Sequence, residues 1–149
     1  MYVTARTNYA MRALLAMAAA GPDPVSAPAL AEAEQMPFTF LQTILGELRR
    51  ARLVVSRRGH DGGYRLARPA MQITVGEVVR AMDTTFAPTT VETHRGRPPS
   101  GATEQLDQLW RAAEIALRGV LDETTLDDLT RGRLPAHVRT LVDSTIPID

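Results

Sequence analysis

The stretch that decides the fold is Phe40-Leu41-Gln42-Thr43-Ile44-Leu45-Gly46-Glu47-Leu48-Arg49-Arg50, running on through Ala51-Arg52-Leu53 into Val54-Val55-Ser56-Arg57-Arg58-Gly59-His60-Asp61-Gly62-Gly63-Tyr64-Arg65-Leu66-Ala67-Arg68. Its first part has the helical period. Phe40, Leu41, Ile44, Leu45 and Leu48 fall on one face, and Thr39, Gln42, Thr43, Glu47, Arg49 and Arg50 on the other. Its second part reads as two strands, Val54 to Arg58 and Gly63 to Ala67, with Tyr64 and Leu66 on one face. Between them Gly59-His60-Asp61-Gly62 has the composition of a hairpin turn, and Pro69 ends the hairpin.

Upstream, Pro37 opens the long helix, where its missing N–H is tolerated, and Gln35-Met36 is a tight turn. Ser26 caps a short helix through Leu30 and Ala31, with Pro28 in its first turn. A first helix from Thr4 to Ala20 carries Ala10, Leu14, Met17 and Ala18 at helical spacing, widened by Met11 and Leu15. Gly21-Pro22-Asp23-Pro24 stops it. Two short helices across a tight turn, followed by a hairpin, spell a winged helix-turn-helix.

Downstream, a fourth helix starts at Thr74 with Val75, Val78, Val79 and Met82 on its apolar face. Residues 84–102 lose all periodicity and are rich in Thr, Pro and Gly, so a long loop is expected. Thr103 is read as the cap of a long helix in which Leu106, Trp110, Ala113, Leu117 and Val120 step by 4, 3, 4 and 3. That heptad-like seam, broadened by Leu109 and Leu121, suits a helix–helix dimer contact. Thr124 to Leu129 caps a further short helix, His137 to Asp143 adds a turn or two, and Ile146 to Asp149 is read as a tail. The expected fold is mainly α with a small β-hairpin wing. Its divisions are a winged helix-turn-helix over 1–83, a loop over 84–102, dimerisation helices over 103–131 and a tail over 132–149.

Composition narrows the function. The 149 residues are 44% hydrophobic with mixed charge, which suits a compact fold. There is no cysteine, so disulfides, thiol redox chemistry and cysteine-held zinc or iron–sulfur sites are excluded. With neither a membrane-length apolar run nor a signal-peptide core, a cytoplasmic protein is expected. Net charge is zero but unevenly spread. Residues 1–82 hold 10 arginines against 6 acids, and residues 83–149 hold 7 against 11. A basic front and an acidic back fit a DNA-facing unit joined to a partner-facing one.

The candidate DNA readers follow from groove chemistry. Thr39, Gln42 and Thr43 lie near the start of the second helix of the pair, and Gln can bond adenine bidentately. Arg49 lies further along, nearer the phosphates. Arg57, Arg58 and Arg65 flank a hairpin tip whose Gly62 and Gly63 permit close approach to a groove. Taken singly, the helix residues equally suit a solvated face, while three hairpin arginines with one nearby acid, Asp61, favour DNA over a solvated charged hairpin.

Together they are more specific. The pattern Phe40-Leu41, Ile44-Leu45, Leu48, Ala51, Leu53-Val54, Ser56 and Arg58-Gly59-x-x-Gly62-Gly63-Tyr64-Arg65-Leu66-Ala67-Arg68 resembles the Rrf2 family of bacterial transcription regulators. Thr4, Tyr9-Ala10, Ile73-Thr74-Val75, Trp110 and Thr125-Leu126-x-x-Leu129 extend the resemblance from about Met1 to Leu129. The resemblance implies homodimers on imperfect palindromes of double-stranded DNA, with the third helix in the major groove and the wing in the minor groove. It also implies Thr39 and Gln42 as base readers, Arg58 as the wing contact, and Arg6 and Thr7 at phosphates.

Three departures qualify it. Arg52 stands where the family usually has glycine, and Pro37 replaces a polar residue that relatives can use on DNA. Where many relatives hold an iron–sulfur cluster with three cysteines, the positions fall on Glu92, Pro98 and Glu104, with Asp107 at a further ligand position. Carboxylates and a proline cannot hold that cluster, so no cofactor is expected. A hard metal on Glu92, His94, Glu104 and Asp107 is outweighed by an acidic helix start favoured by the helix dipole. An effector site is assigned to His94, Arg95, Arg97 and Trp110. No catalytic constellation is present: His60, His94 and His137 lie in separate segments. The expectation is a cluster-free homodimeric DNA-binding repressor answering to a small molecule or partner protein. A winged-helix adaptor for proteins and a small-molecule-binding domain stand as alternatives.

Overall fold

The structure, a computed structural model, describes residues 3–83 and 100–144. Helix α1 spans Ala5–Ala20, with the Thr4 hydroxyl accepting the Thr7 N–H at its start. Helix α2 is Ala27–Ala33, capped by Ser26, and α3 is Phe38–Arg50, entered through Pro37. Strands β1 (Val54–Arg57) and β2 (Gly63–Leu66) pair antiparallel, with Val54 opposite Leu66 and Arg57 opposite Gly63. A 3-10 turn over Ala70–Gln72 leads into α4 (Val75–Met82). Then come α5 (Ala102–Leu121), α6 (Leu126–Thr130) and α7 (Ala136–Asp143).

The apolar faces meet in one core. Leu14 and Met17 of α1, Leu30 of α2, and Leu41, Ile44, Leu45 and Leu48 of α3 are sealed from solvent with Ile73, Val78 and Leu126. Phe40 departs from the expected buried face of α3. It remains 36% exposed and meets the Tyr9 ring edge-on, centroids 5.6 Å apart. Phe40 lies on the flank of the helix, at the margin of the stripe that Leu41, Ile44 and Leu48 centre.

Helices α2 and α3 end alike, each with a non-glycine residue in left-handed backbone: Gln35 at φ 52° and Arg52 at φ 60°. At the end of α3 the Leu53 N–H reaches the Leu48 carbonyl at 2.9 Å and the Arg52 N–H reaches that of Arg49 at 3.0 Å. This paired closure is the one glycine fits best, since a side chain there crowds the following carbonyl. Arg52→Gly is therefore expected to stabilise the fold by roughly 0.5–1 kcal/mol after allowing for glycine's greater freedom in the unfolded chain. The melting temperature should rise by about 2–4 °C; a fall would contradict this account of the turn.

The wing is fastened to the body. Val25 and Tyr64 exchange two backbone hydrogen bonds of 2.8 Å, so the segment before α2 acts as a third strand fragment. Gly63 makes this possible: at φ 152°, a Cβ there would lie 2.5 Å from the Val25 carbonyl oxygen. At Gly62 a Cβ would run into the Arg57 carbonyl. Both glycines thus shape the hairpin itself.

A second backbone staple joins segments about fifty residues apart, 73–75 and 124–126. The Val75 N–H donates to the Thr124 carbonyl at 2.8 Å and the Leu126 N–H to that of Ile73 at 3.0 Å. The threonines of the resulting Thr74–Thr125 bridge each open a capping box, closed by Glu77 and Asp128 respectively. Burial alone would raise the Glu77 carboxyl. Hydrogen bonds from Arg68 (2.7 Å) and the Thr74 N–H, with the Arg68 charge, outweigh it and hold the group below its ordinary value. Leu126 therefore belongs to the core that α1 and α3 build, although it lies in the segment 103–131 read as dimerisation helices.

Other details differ from the sequence reading. Thr103 does not cap α5, which begins one residue earlier, after Gly101 at φ 61°. Val75 is half-buried while Gly76 is buried, its space taken by the Asp122 carboxylate that ion-pairs with Arg80 at 2.8 Å. The 3-10 turn over Ala70–Gln72 was not anticipated, and α7 runs for two full turns.

Candidate nucleic-acid interface

The solvent side of α3 carries Thr39, Gln42, Thr43, Arg49 and Arg50, all exposed, around the half-exposed Gly46. The buried leucines on the opposite side fix the helix's rotation, so this polar face must point away from the body. Thr43 is held by a hydrogen bond from its hydroxyl to the Thr39 carbonyl (3.3 Å). The Arg49 guanidinium makes a long bond to the Ser56 hydroxyl at 3.5 Å, linking the end of α3 to β1. On the hairpin, strand alternation places Val55, Arg57 and Arg65 on the outer face, and Arg58 continues toward the exposed tip at Gly59 and His60.

Cations without a carboxylate partner are concentrated on this surface, although Arg111, Arg133 and Arg139 elsewhere also lack one among the described residues. Arg12, Arg68 and Arg80 on the body are engaged by Glu34, Glu77 and Asp122. Among the described residues no carboxylate lies within ion-pair distance of Arg49, Arg50, Arg52, Arg57, Arg58 or Arg65. Six cations without a carboxylate partner, spread over one helix end and the adjoining hairpin, are suited to a polyanion. Arg50 and Arg52 were missed as candidate site residues. The signal was present in the seven arginines and single acid, Asp61, between residues 49 and 68.

Two of the predicted phosphate contacts are placed differently. Arg6 is ion-paired with Glu47, which braces the start of α1 against α3. Thr7 is only 3% exposed, its hydroxyl 2.9 Å from that of Thr4, so its side chain serves the helix start and does not face solvent. Sequence spacing could not reveal this, because a threonine one turn into a helix is compatible with either side.

Helix α5 contributes a second surface. None of its residues is buried, and Leu106, Leu109 and Trp110 are 47%, 58% and 55% exposed. Ala113 is exposed with them, while Leu117 and Val120 are half-buried toward the body. Trp110 is the one member of the expected effector site that can be located; His94, Arg95 and Arg97 lie outside the described residues, as do Glu92 and Pro98.

A family model described as Rrf2, iron-dependent transcriptional regulator, matches residues 3–132. The chain belongs to the Rrf2 family. The HTH-type transcriptional regulator Rv1287 of Mycobacterium tuberculosis is 42% identical to it over 144 residues, covering 96% of this chain and 89% of that one. Among solved structures, the global cysteine regulator CymR of B. subtilis aligns with a TM-score of 0.73 at 29% identity, covering 88% of this chain and 97% of that one. T. potens IscR aligns with a TM-score of 0.70 at 27% identity, covering 89% and 88%. This Rrf2 member is accordingly a DNA-binding transcription regulator with the mainly helical, hairpin-bearing fold of that family, and not an enzyme.

The family description invokes iron, and this member lacks the thiolates for an iron–sulfur cluster, having no cysteine anywhere. Among the described residues, no group of three His, Asp or Glu side chains is arranged to hold a metal ion. The residues present do not fit the cluster. Among the described residues, no helix is long and apolar enough to cross a membrane.

Proposed function

We propose that this Rrf2 member is a homodimeric repressor, located in the cytoplasm, that binds an imperfect palindrome without an iron–sulfur cluster. The observation that carries the reading is the cluster of six arginines without a carboxylate partner, continuous with the polar face of α3. In this reading α3 enters the major groove, Thr39, Gln42 and Thr43 meet base edges, and Arg49 sits at the phosphate backbone. Arg57 and Arg58 track the neighbouring minor groove, with Gly62 and Gly63 keeping the tip narrow enough to enter. Two copies joined along Leu106, Leu109, Trp110, Ala113, Leu117 and Val120 of α5 present two such units to half-sites about 10 bp or a multiple apart. An effector, either a small molecule or a partner protein, acts through His94, Arg95, Arg97 and Trp110, the first three of which lie between α4 and α5 in the sequence.

The test is fluorescence anisotropy with a duplex selected from a random-sequence pool by the wild-type protein. Affinity should fall steeply with salt as released counterions dictate. Replacing Thr39, Gln42 and Arg58 together by alanine should weaken binding roughly a hundredfold or more, since each good base contact contributes about 1–3 kcal/mol. The melting temperature should hold, because all three side chains are exposed. An unchanged affinity, or one insensitive to salt, would sink the reading. Transcription in vitro from a promoter overlapping the selected site then reports the sign: a rise in transcript on adding protein would rule out repression.

A further inference from the structure

Most glycines of the described chain have a reason within the fold. Gly21, Gly59, Gly101 and Gly132 adopt positive φ, while at Gly62, Gly63 and Gly76 a Cβ would collide with neighbouring atoms. Gly46 has neither reason. It lies in the middle of α3 with ordinary helical backbone, and an added Cβ would meet nothing nearer than the Arg50 Nη2 at 4.0 Å, the far end of a flexible side chain. Gly119 is the other helical glycine with free space, but it sits in the last turn of α5 and its carbonyl receives the His137 ring at 2.9 Å. Apart from proline, glycine is the least favourable residue for a helix interior. The chain thus keeps a destabilising residue at a position where alanine would fit without strain.

Position supplies the missing reason. At 100° per residue, Gly46 stands at the centre of the exposed face, one turn beyond Gln42 and Thr43 and one turn before Arg49 and Arg50. An α-helix with its side chains measures about 10–12 Å across and the B-DNA major groove about 12 Å, so little clearance remains at the point of closest approach. We infer that Gly46 is that point: its bare backbone lies against the floor or wall of the groove and sets how deeply α3 inserts. Depth in turn decides whether Gln42 reaches base edges while Arg49 and Arg50 reach phosphates. Gly46 is therefore a positioning residue for DNA recognition, and this inference rests on the proposed docking of α3.

The experiment compares wild type, Gly46→Ala and Gly46→Leu on the duplex selected by the wild-type protein, with thermal melting of each in parallel. Both variants should melt a few degrees higher, since each is a better helix former. Both should bind more weakly, roughly tenfold or more for alanine and further for leucine, as overpacking of a close-fitting contact predicts. The salt slope should stay near the wild-type value, because no phosphate-binding cation is removed. Gly46→Ala that is stabilised yet binds as tightly as wild type would overturn the inference and leave the DNA-binding reading standing. A melting temperature that falls would also overturn it, by exposing a role for Gly46 inside the fold. Failure of the wild-type protein to select any duplex would overturn both together.

Discussion

Leu109→Glu combined with Trp110→Glu is expected to yield a folded monomer that holds the palindrome 10²–10⁴-fold, by order of magnitude, less tightly than wild type. The two side chains are more than half exposed and α5 buries no residue against its own chain, so their loss removes little from the core. Across a two-fold seam each substitution would meet its own copy or its neighbour, and four carboxylates would have to leave water. Once the helices part, the second half-site is no longer delivered at high effective concentration, and only the intrinsic half-site affinity survives. Sedimentation equilibrium gives the mass, melting gives the integrity of the DNA-binding unit, and anisotropy gives the affinity. A variant that stays dimeric would show that the association surface lies elsewhere.

Leu126→Ala is expected to destabilise the protein by about 3–5 kcal/mol, the range for emptying a sealed leucine site that cannot collapse. Leu126 is fully buried in α6, which packs on α1 and the 3-10 turn, and its own N–H is tied to the Ile73 carbonyl. With total stability for a chain of this size of order 5–15 kcal/mol, such a loss takes a large share of the margin. The damage should appear in the DNA-binding half, as a lower denaturant midpoint read from probes on α1 or α3. A loss below about 1 kcal/mol would mean that α6 is peripheral to the core.

How much of this could be read beforehand differs by element. The α3 face followed from Leu41, Ile44, Leu45 and Leu48, because a thirteen-residue helix gives a stripe enough turns to declare itself. The wing followed from Gly59 to Gly63, where turn chemistry is local. Phe40 was misread because a helix stripe has soft edges, and an aromatic at the margin can meet a neighbour such as Tyr9 edge-on while staying partly exposed. The return of α6 to the core had no comparable signal: five residues contain no period, and the bonds that fasten it join carbonyls and amides, which every sequence has. Within the candidate interface, Gln42 and the exposed arginines were legible as residue types. The engagement of Arg6 by Glu47 and the burial of Thr7 depend on how α1 lies against α3, which is a tertiary fact.

The staple between residues 73–75 and 124–126 also bears on how the protein is made. Synthesis proceeds from the N-terminus at about 5–20 residues per second, and domains fold as they become complete. Here the helix-turn-helix and wing leave the ribosome first, yet the last side chain of their core, Leu126, follows only after the whole of α5 has been translated. A nascent or prematurely ended chain that stops before α6 carries the arginine surface on an unfinished core with no Leu126 to fill it. Translation order thereby withholds a stable DNA-binding unit until α5, the helix proposed to join two copies, is already present. A fragment that ends before α6 is thereby expected to fold poorly, because its core closes only with a contact distant in sequence.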